Sequence, residues 1–379
     1  MEERKPSISD RVTVYLICAM ILVFSAAFFM NEKKDFSESE NRYLAVLPDF
    51  SLKHLSEGKF TEGLEKYVCD HFPERESFLN IVSEAQRLSG RKQIGDIYIC
   101  DDRTLIQAYG APANTERIIG QFDKLCDSTE NAKIYLMLVP TAVSINAEKL
   151  PKGAVLTHSQ SDTTERIYSE LSGRAECVDA ASALAKAKEG GELYYRTDHH
   201  WTTYGAYAVY EAYCKAAGLD AVPASEYKTE TVTDAFRGTL YSRLNDEYFG
   251  SDSIVSYSHP DWQLSVKYED SGEISDTPYA PEYLDKKDKY SYFLNNIHPL
   301  ITIENASAPE GAAAVIKDSY ANSFVPFMLM HYRTLYVFDT RYYKGGPSSF
   351  INEHKDIKDV LILYNMNTLD TDTGIGGIY

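Results

Sequence analysis

Ala312-Ala313-Ala314-Val315-Ile316-Lys317-Asp318-Ser319-Tyr320 is the stretch that decides the fold. Its five apolar residues make a short buried strand. A charged pair and a serine follow, and the pattern after them predicts a helix over 322–331. A strand that turns through polar residues into a helix is the unit of a parallel sheet covered on both faces. Such a turn sets the Ser319 hydroxyl at the carboxyl edge of the sheet, where open α/β folds hold their sites. It also sets the serine beside the positive end of a helix, where backbone N–H groups can hold an oxyanion. A lone serine there more often serves as a helix N-cap. The motif therefore needs partners elsewhere in the chain.

The same rhythm extends outward. Strands are predicted at Thr334–Phe338 and Val360–Tyr364. Upstream, KIYLMLV at Lys133–Val139 reads as a buried strand closed by Pro140. It follows a helical pattern at Thr115–Cys126 and precedes a short strand at Cys177-Val178. Helices are expected over Ala181–Lys188 and Thr203–Ala217. Nearer the N-terminus, Phe60, Leu64, Tyr67 and Val68 recur at helical spacing, as do Phe78, Ile81 and Val82. Pro73 divides them into two helices. Ile97-Tyr98-Ile99 and Thr104-Leu105-Ile106 flank Asp101-Asp102-Arg103 as a hairpin. Residues 228–300 are rich in Thr, Ser and Tyr and read as a β-rich insertion, with strands at Ser253–Tyr257 and Gln263–Tyr268.

Val12 to Met30 reads VTVYLICAMILVFSAAFFM, nineteen residues without a charge. As a helix it would be about 28 Å long, enough to cross a bilayer. Arg4, Lys5 and Arg11 precede it, which favours a cytoplasmic tail over residues 1–11. A cleaved signal peptide is the rival reading, but Phe28-Phe29-Met30 is bulky where a small-residue cleavage site belongs. Residues 31–55 then form a stalk and 56–379 one α/β domain outside the cytoplasm. The net charge of −18 over 379 residues supplies no cationic face for nucleic acid. The 29 tyrosines suit either a glycan-facing surface or strand and half-buried positions. Five of the six cysteines, Cys69, Cys100, Cys126, Cys177 and Cys214, lie outside the apolar run, far apart and without a CxxC pair. That is neither a disulfide scaffold nor a zinc ribbon.

The partner sequence for the serine is Thr197-Asp198-His199-His200-Trp201-Thr202. A carboxylate can orient an imidazole and stabilise its charged form, and the imidazole can act as general base near neutral pH. Asp and two His are also good zinc ligands, but adjacent histidines point different ways and no HxxxH stands nearby. The expectation is no metal, with His199 packed or hydrogen-bonded to orient the loop.

The Asp-His-His-Trp run resembles the signature of the DHHW family, which is similar to SGNH-hydrolase-like acetyltransferases related to the periplasmic proteins that O-acetylate alginate. Glu40-Asn41-Arg42, Asp70-His71-Phe72-Pro73-Glu74-Arg75, Phe236-Arg237-Gly238-Thr239-Leu240, Lys317 to Ser323 and Asp339-Thr340-Arg341-Tyr342-Tyr343 resemble further family blocks. The resemblance implies an SGNH-like, mainly parallel sheet with helices on both faces, behind one N-terminal transmembrane helix. It implies Ser319 as nucleophile, His200 as base and Asp198 as the group that orients it. It leaves the oxyanion hole unplaced. Tyr320 through its backbone N–H, Asn322 and Asn365 are candidates, with His199 and Trp201 as further substrate-side candidates. No phosphate-cradling glycine loop is present, so no cofactor is expected. The implied partners are a cell-surface polysaccharide acceptor and a membrane-bound O-acyltransferase that delivers the acetyl group. The same three residues would also serve an esterase, and a non-catalytic polysaccharide-binding or wall protein is the alternative in which Ser319 is inert.

Overall fold

A computed structural model describes residues 7–37 and 42–379. Residues 1–6 of the expected tail, and Glu40 and Asn41, lie outside the described residues. The chain forms two compact units, Met1–Gly90 with Ser242–Asp246, and Arg91–Tyr241 with Glu247–Tyr379.

The first unit begins with helix α1, Ile8–Met30. Ser7 caps it by accepting a hydrogen bond from the Asp10 N–H, and the Asp10 side chain accepts from the Ser7 N–H, a reciprocal capping box. None of its residues is buried, and its length and composition are those of a membrane span. The segment 31–55 and helices α2 (Lys59–Asp70) and α3 (Arg75–Leu88) belong to the same unit. Glu74, with φ 56°, reverses the chain just after Pro73. The end of α3 is pinned by Arg87, whose guanidinium donates to the buried carboxylate of Asp246 at 2.6 Å.

The second unit is a mixed α/β fold around an eight-stranded, mostly parallel sheet. In chain order its strands are β1 (Lys133–Val139), β2 (Glu176–Cys177), β3 (Leu264–Tyr268), β4 (Ile274–Ser275), β5 (Leu300–Asn305), β6 (Ala312–Lys317), β7 (Thr334–Phe338) and β8 (Ile357–Asn365). They are arranged β4-β3-β5-β7-β6-β8-β1-β2. The five strands from β7 to β2 run parallel; β4, β3 and β5 add an antiparallel flank. β6 is buried at all six residues, as its uninterrupted apolar run requires for a strand covered on both faces. It pairs with β7 on one side and β8 on the other. The chain therefore changes direction at β6, and Ser319 follows the carboxyl end of that strand. Helices α4 (Thr115–Ser128), α5 (Gln160–Glu170), α6 (Ala180–Ala187) and α7 (Thr203–Ala217) belong to this unit.

Two expectations are corrected. Residues 228–300 are not one insertion. Lys228–Phe236 and Asp252–Ser258 form a separate antiparallel ribbon, whereas β3 and β4 extend the main sheet through β5. The predicted helix over 322–331 is instead a 3₁₀ turn, Ser319–Ser323, followed by one α turn, Val325–Met328. Pro326 explains the break: it has no N–H to give the Asn322 carbonyl, and its ring would crowd that carbonyl in a continuous helix. The tyrosines are mostly core, including Tyr135, Tyr194, Tyr210, Tyr213, Tyr320 and Tyr364.

Candidate active site

The Asp-His-His-Trp loop is held at its base by strand-like bonds. Tyr194 and Trp201 bridge as an antiparallel pair, and Tyr195 N–H donates to the His200 carbonyl at 3.2 Å. The buried carboxylate of Asp252 pins the loop's entry, accepting from the N–H groups of Arg196 (2.9 Å) and Thr197 (2.8 Å) and from the Thr197 hydroxyl (2.5 Å). Thr202 caps α7 through the Gly205 N–H. The loop's exit is thereby fixed to a rigid helix.

The structure brings Asp198, His200 and Ser319 into one hydrogen-bonded line. Asp198 Oδ1 lies 2.5 Å from His200 Nδ1, and His200 Nε2 lies 2.8 Å from Ser319 Oγ. A carboxylate only accepts, so Nδ1 carries the imidazole hydrogen and Nε2 offers its lone pair to the serine O–H. The second oxygen, Asp198 Oδ2, accepts from the Thr239 N–H at 2.6 Å and the Thr239 hydroxyl at 3.0 Å. Burial alone would raise the Asp198 carboxyl. The imidazoles of His199 and His200, the hydrogen bond from His200 and the Thr239 N–H outweigh it and hold the carboxyl well below the usual range. An aspartate that stays ionised is what an imidazolium needs beside it.

Two further ties join the loop to the serine turn. Trp201 Nε1–H donates to the Tyr320 carbonyl (2.9 Å) and to Ser323 Oγ (3.0 Å). In the opposite sense, the Tyr320 hydroxyl donates to the His199 carbonyl at 2.5 Å. Tyr290 lies flat against the His200 ring, 3.7 Å between centroids and 12° between planes, and its hydroxyl donates to the Ser319 carbonyl at 3.1 Å. The imidazole is clamped between Tyr290 and His199, whose ring centroid is 3.9 Å away.

The oxyanion candidates separate clearly. The Tyr320 N–H is engaged, donating to Asp318 Oδ1 at 2.8 Å, which corrects the expectation that it faces a substrate. Asn365 donates both its N–H and its Nδ2 to Asp318 Oδ2 at 2.7 Å, and its Oδ1 accepts from Asn367 and Thr368 N–H. It is the cap of the last short helix and not an open amide. Trp201 is fully buried, a tie rather than a substrate surface. His199 contacts Thr239 Oγ1 through Nδ1 at 2.6 Å and is 28% exposed. Asn322 differs from these: it is buried, and its Oδ1 has no partner among the described residues.

The donor atoms of Asp198, His199 and His200 lie within 4.8 Å of one another, close enough to hold a cation. Both Asp198 oxygens and both His200 nitrogens already make short hydrogen bonds, so a metal would have to displace the serine or the threonine.

Asp318, Asp252, Tyr290 and Thr239 were not singled out from sequence for these roles. Asp318 caps the serine turn, and the block that follows β7 braces it. Asp339 is buried between Lys317 (3.5 Å) and Arg341, which donates to both its oxygens. Burial pushes the Asp318 carboxyl up to about 6, against hydrogen bonds from the Asn365 and Tyr320 N–H groups and the fields of Arg341 and His200. The folded chain thus holds this proton longer than the unfolded one, whose value is the ordinary 3.8. The stability Asp318 contributes is full below that value and is lost as pH rises through about 6. Asp318→Asn removes this dependence. Its deficit against wild type in thermal unfolding should shrink by about 2 kcal/mol from pH 4 to pH 7. A deficit that stays constant or grows would contradict the assignment.

Residues 101–256 match the SGNH hydrolase-like domain of the acetyltransferase AlgX. The matched span lies almost wholly in the second unit. The matched span contains Asp198 and His200, and Ser319 lies beyond it. Among solved structures, the chain is similar to a DHHW family protein from Eubacterium siraeum DSM 15702, at 26% identity and a TM-score of 0.62, over 72% of this chain and 91% of that one. It shares its fold with Bacillus cereus PatB1 carrying a sulfonyl adduct, at 20% identity and a TM-score of 0.62, over 76% of this chain and all of that one. No curated protein matches the chain.

Proposed function

We propose that this chain is a membrane-anchored O-acetyltransferase that acts outside the cytoplasm on hydroxyls of a cell-surface polysaccharide. The observation that carries the reading is the Asp198–His200–Ser319 line at the carboxyl edge of β6. The match to a domain of an acetyltransferase supports the same class of chemistry. In this reading Ser319 Oγ attacks the acetyl carbonyl while His200 Nε2 takes its proton. The tetrahedral intermediate collapses as His200 returns that proton to the leaving group, and acetyl-Ser319 remains. A sugar hydroxyl then attacks the ester, gives its proton to His200, and leaves as acetyl ester while Ser319 regains a proton. Asp198 holds the imidazole in the required tautomer throughout.

Asn322 is the side chain this proposal assigns to the oxyanion, through its Nδ2 as donor; its buried Oδ1 is without a partner among the described residues, whereas the Nδ2 of Asn365 is engaged by Asp318. The apolar α1 supplies the anchor. The acetyl donor is proposed to be a membrane-bound O-acyltransferase beside it. Most of the tyrosines are buried, so they lend no support to the non-catalytic reading.

Intact mass of the full chain in detergent, after exposure to an activated acetyl ester, tests this directly. One added acetyl, absent from Ser319→Ala, is expected. Rapid ester turnover without an adduct, lost in the same variant, would make the protein an esterase. No adduct and no turnover would sink the catalytic reading.

A further inference from the structure

α3 carries an apolar stripe that the first unit does not cover. Phe78, Ile81 and Val82 are 43%, 60% and 50% exposed, and their i, i+3, i+4 spacing places them on one face. Leu88 continues it at 72%. A soluble helix turns such a face inward. Here the helix that carries it packs against α1. Phe24 of α1 contacts Phe72 at 5.2 Å and Phe78 at 5.8 Å between ring centroids, and Phe28 contacts Tyr67 at 6.2 Å. Beside these contacts lies an apolar cleft of about 420 Å³ lined by Met20, Ile21, Phe24, Phe28, Val68 and Phe72.

The depth of Phe24 decides what covers this face. It stands six residues before the end of α1 at Met30, about 9 Å along the helix axis. If α1 crosses a bilayer to its last turn, Phe24 is below the surface of the hydrocarbon, and the rings that touch it share that level. An amphipathic helix lying in an interface sinks its apolar side by about 5–10 Å, which is the same depth.

We propose that α2 and α3 form a lipid-seated collar on the outer end of α1, with the Phe78–Ile81–Val82 stripe in the acyl region and the cleft filled by a phospholipid chain. This rests on the reading of α1 as a membrane span. The two helices carry no excess of basic residues: Lys59, Lys66, Arg75 and Arg87 face Glu62, Glu65, Asp70, Glu76 and Glu84. The attraction is therefore apolar, and salt should not release it.

The test uses the full chain in nanodiscs of phosphatidylcholine, with brominated acyl chains as quencher. Trp is introduced singly as Val23→Trp in α1, Ile81→Trp on the stripe, and Leu156→Trp at an exposed site of the second unit. Trp201 and Trp262 give a common background. Val23→Trp and Ile81→Trp should each lose about half of their added emission, unchanged in high salt, and Leu156→Trp should lose none. Quenching at Val23→Trp without quenching at Ile81→Trp overturns the collar and leaves the anchor standing; a protein partner would then cover the stripe. Quenching at neither removes the anchor and the collar together. Equal quenching at Leu156→Trp would mean that the chain merely lies on the bilayer, which also overturns the proposal.

Discussion

His200→Ala and Ser319→Ala are each expected to lower acetyl transfer on the order of 10⁵-fold, and the double variant is expected to be no worse than either alone. The reason is geometric. The serine O–H has one partner in position to take its proton, His200 Nε2 at 2.8 Å. Without the imidazole the hydroxyl must attack as a neutral alcohol, and without the hydroxyl the imidazole has nothing to deprotonate on the enzyme. Two groups that act in one step cannot contribute additively. Steady-state transfer to a polysaccharide hydroxyl measures this. Losses that multiply in the double variant would mean that the two residues act in separate steps, and the proposed line would be wrong. Folding is a minor concern for Ser319→Ala, because the turn around it is held by the Asp318 carboxylate, the Trp201 indole and the Tyr290 hydroxyl.

Gly238→Ala should be nearly as severe, although residue 238 touches no substrate in this proposal. A Cβ at Gly238 would fall inside the side chain of Asp198, against its Cβ, its Cγ and Oδ2. Asp198 is buried and cannot swing away without breaking its bonds to His200 and Thr239. The added methyl therefore either opens the loop or turns the carboxylate. Overpacking of this kind costs about 1–3 kcal/mol of stability. Loss of the oriented carboxylate costs on the order of 10³–10⁴ in rate. Gly238→Ala should thus unfold only some degrees earlier than wild type yet lose nearly all turnover, with Asp198→Asn as the comparison. Wild-type turnover in Gly238→Ala would show that the Asp198 position is not critical.

Much of the parallel half of the sheet was legible in the sequence. Lys133–Val139, Ala312–Ile316 and Thr334–Phe338 are apolar runs bounded by polar turns, and each is a strand as expected. Burial on both faces removes ambiguity about which way a residue points. The region 228–300 was less legible because its strands are half-buried. Leu264–Tyr268 alternates weakly, and nothing local says that it joins the central sheet while Asp252–Ser258 does not. At the site, the Asp-His-His-Trp run was visible because titratable groups stood together in sequence. Asp252 and Tyr290 were not, since each reaches the site from a distant segment, and Thr239 stood only within the Phe236–Leu240 block, with no role of its own. The Tyr320 N–H was misjudged for a related reason. Asp318, two residues earlier, is itself the acceptor, and a cap that close leaves no trace in sequence spacing.

β8 also bears on when the molecule can first work. Among the described strands it is the one that hydrogen-bonds to both β6 and β1, so it joins the two halves of the sheet, yet it follows the other strands of that sheet in chain order. Until residues 357–365 arrive, the strand carrying Ser319 has no partner on one side, and Asp318 lacks the Asn365 bonds that steady the serine turn. The loop bearing His200 will by then have been synthesised for more than a hundred residues. Closing so long a loop is slow. If the proposed function holds, the incomplete chain is inert, and reactivity toward an activated ester should emerge as a late, all-or-none event that follows completion of the sheet.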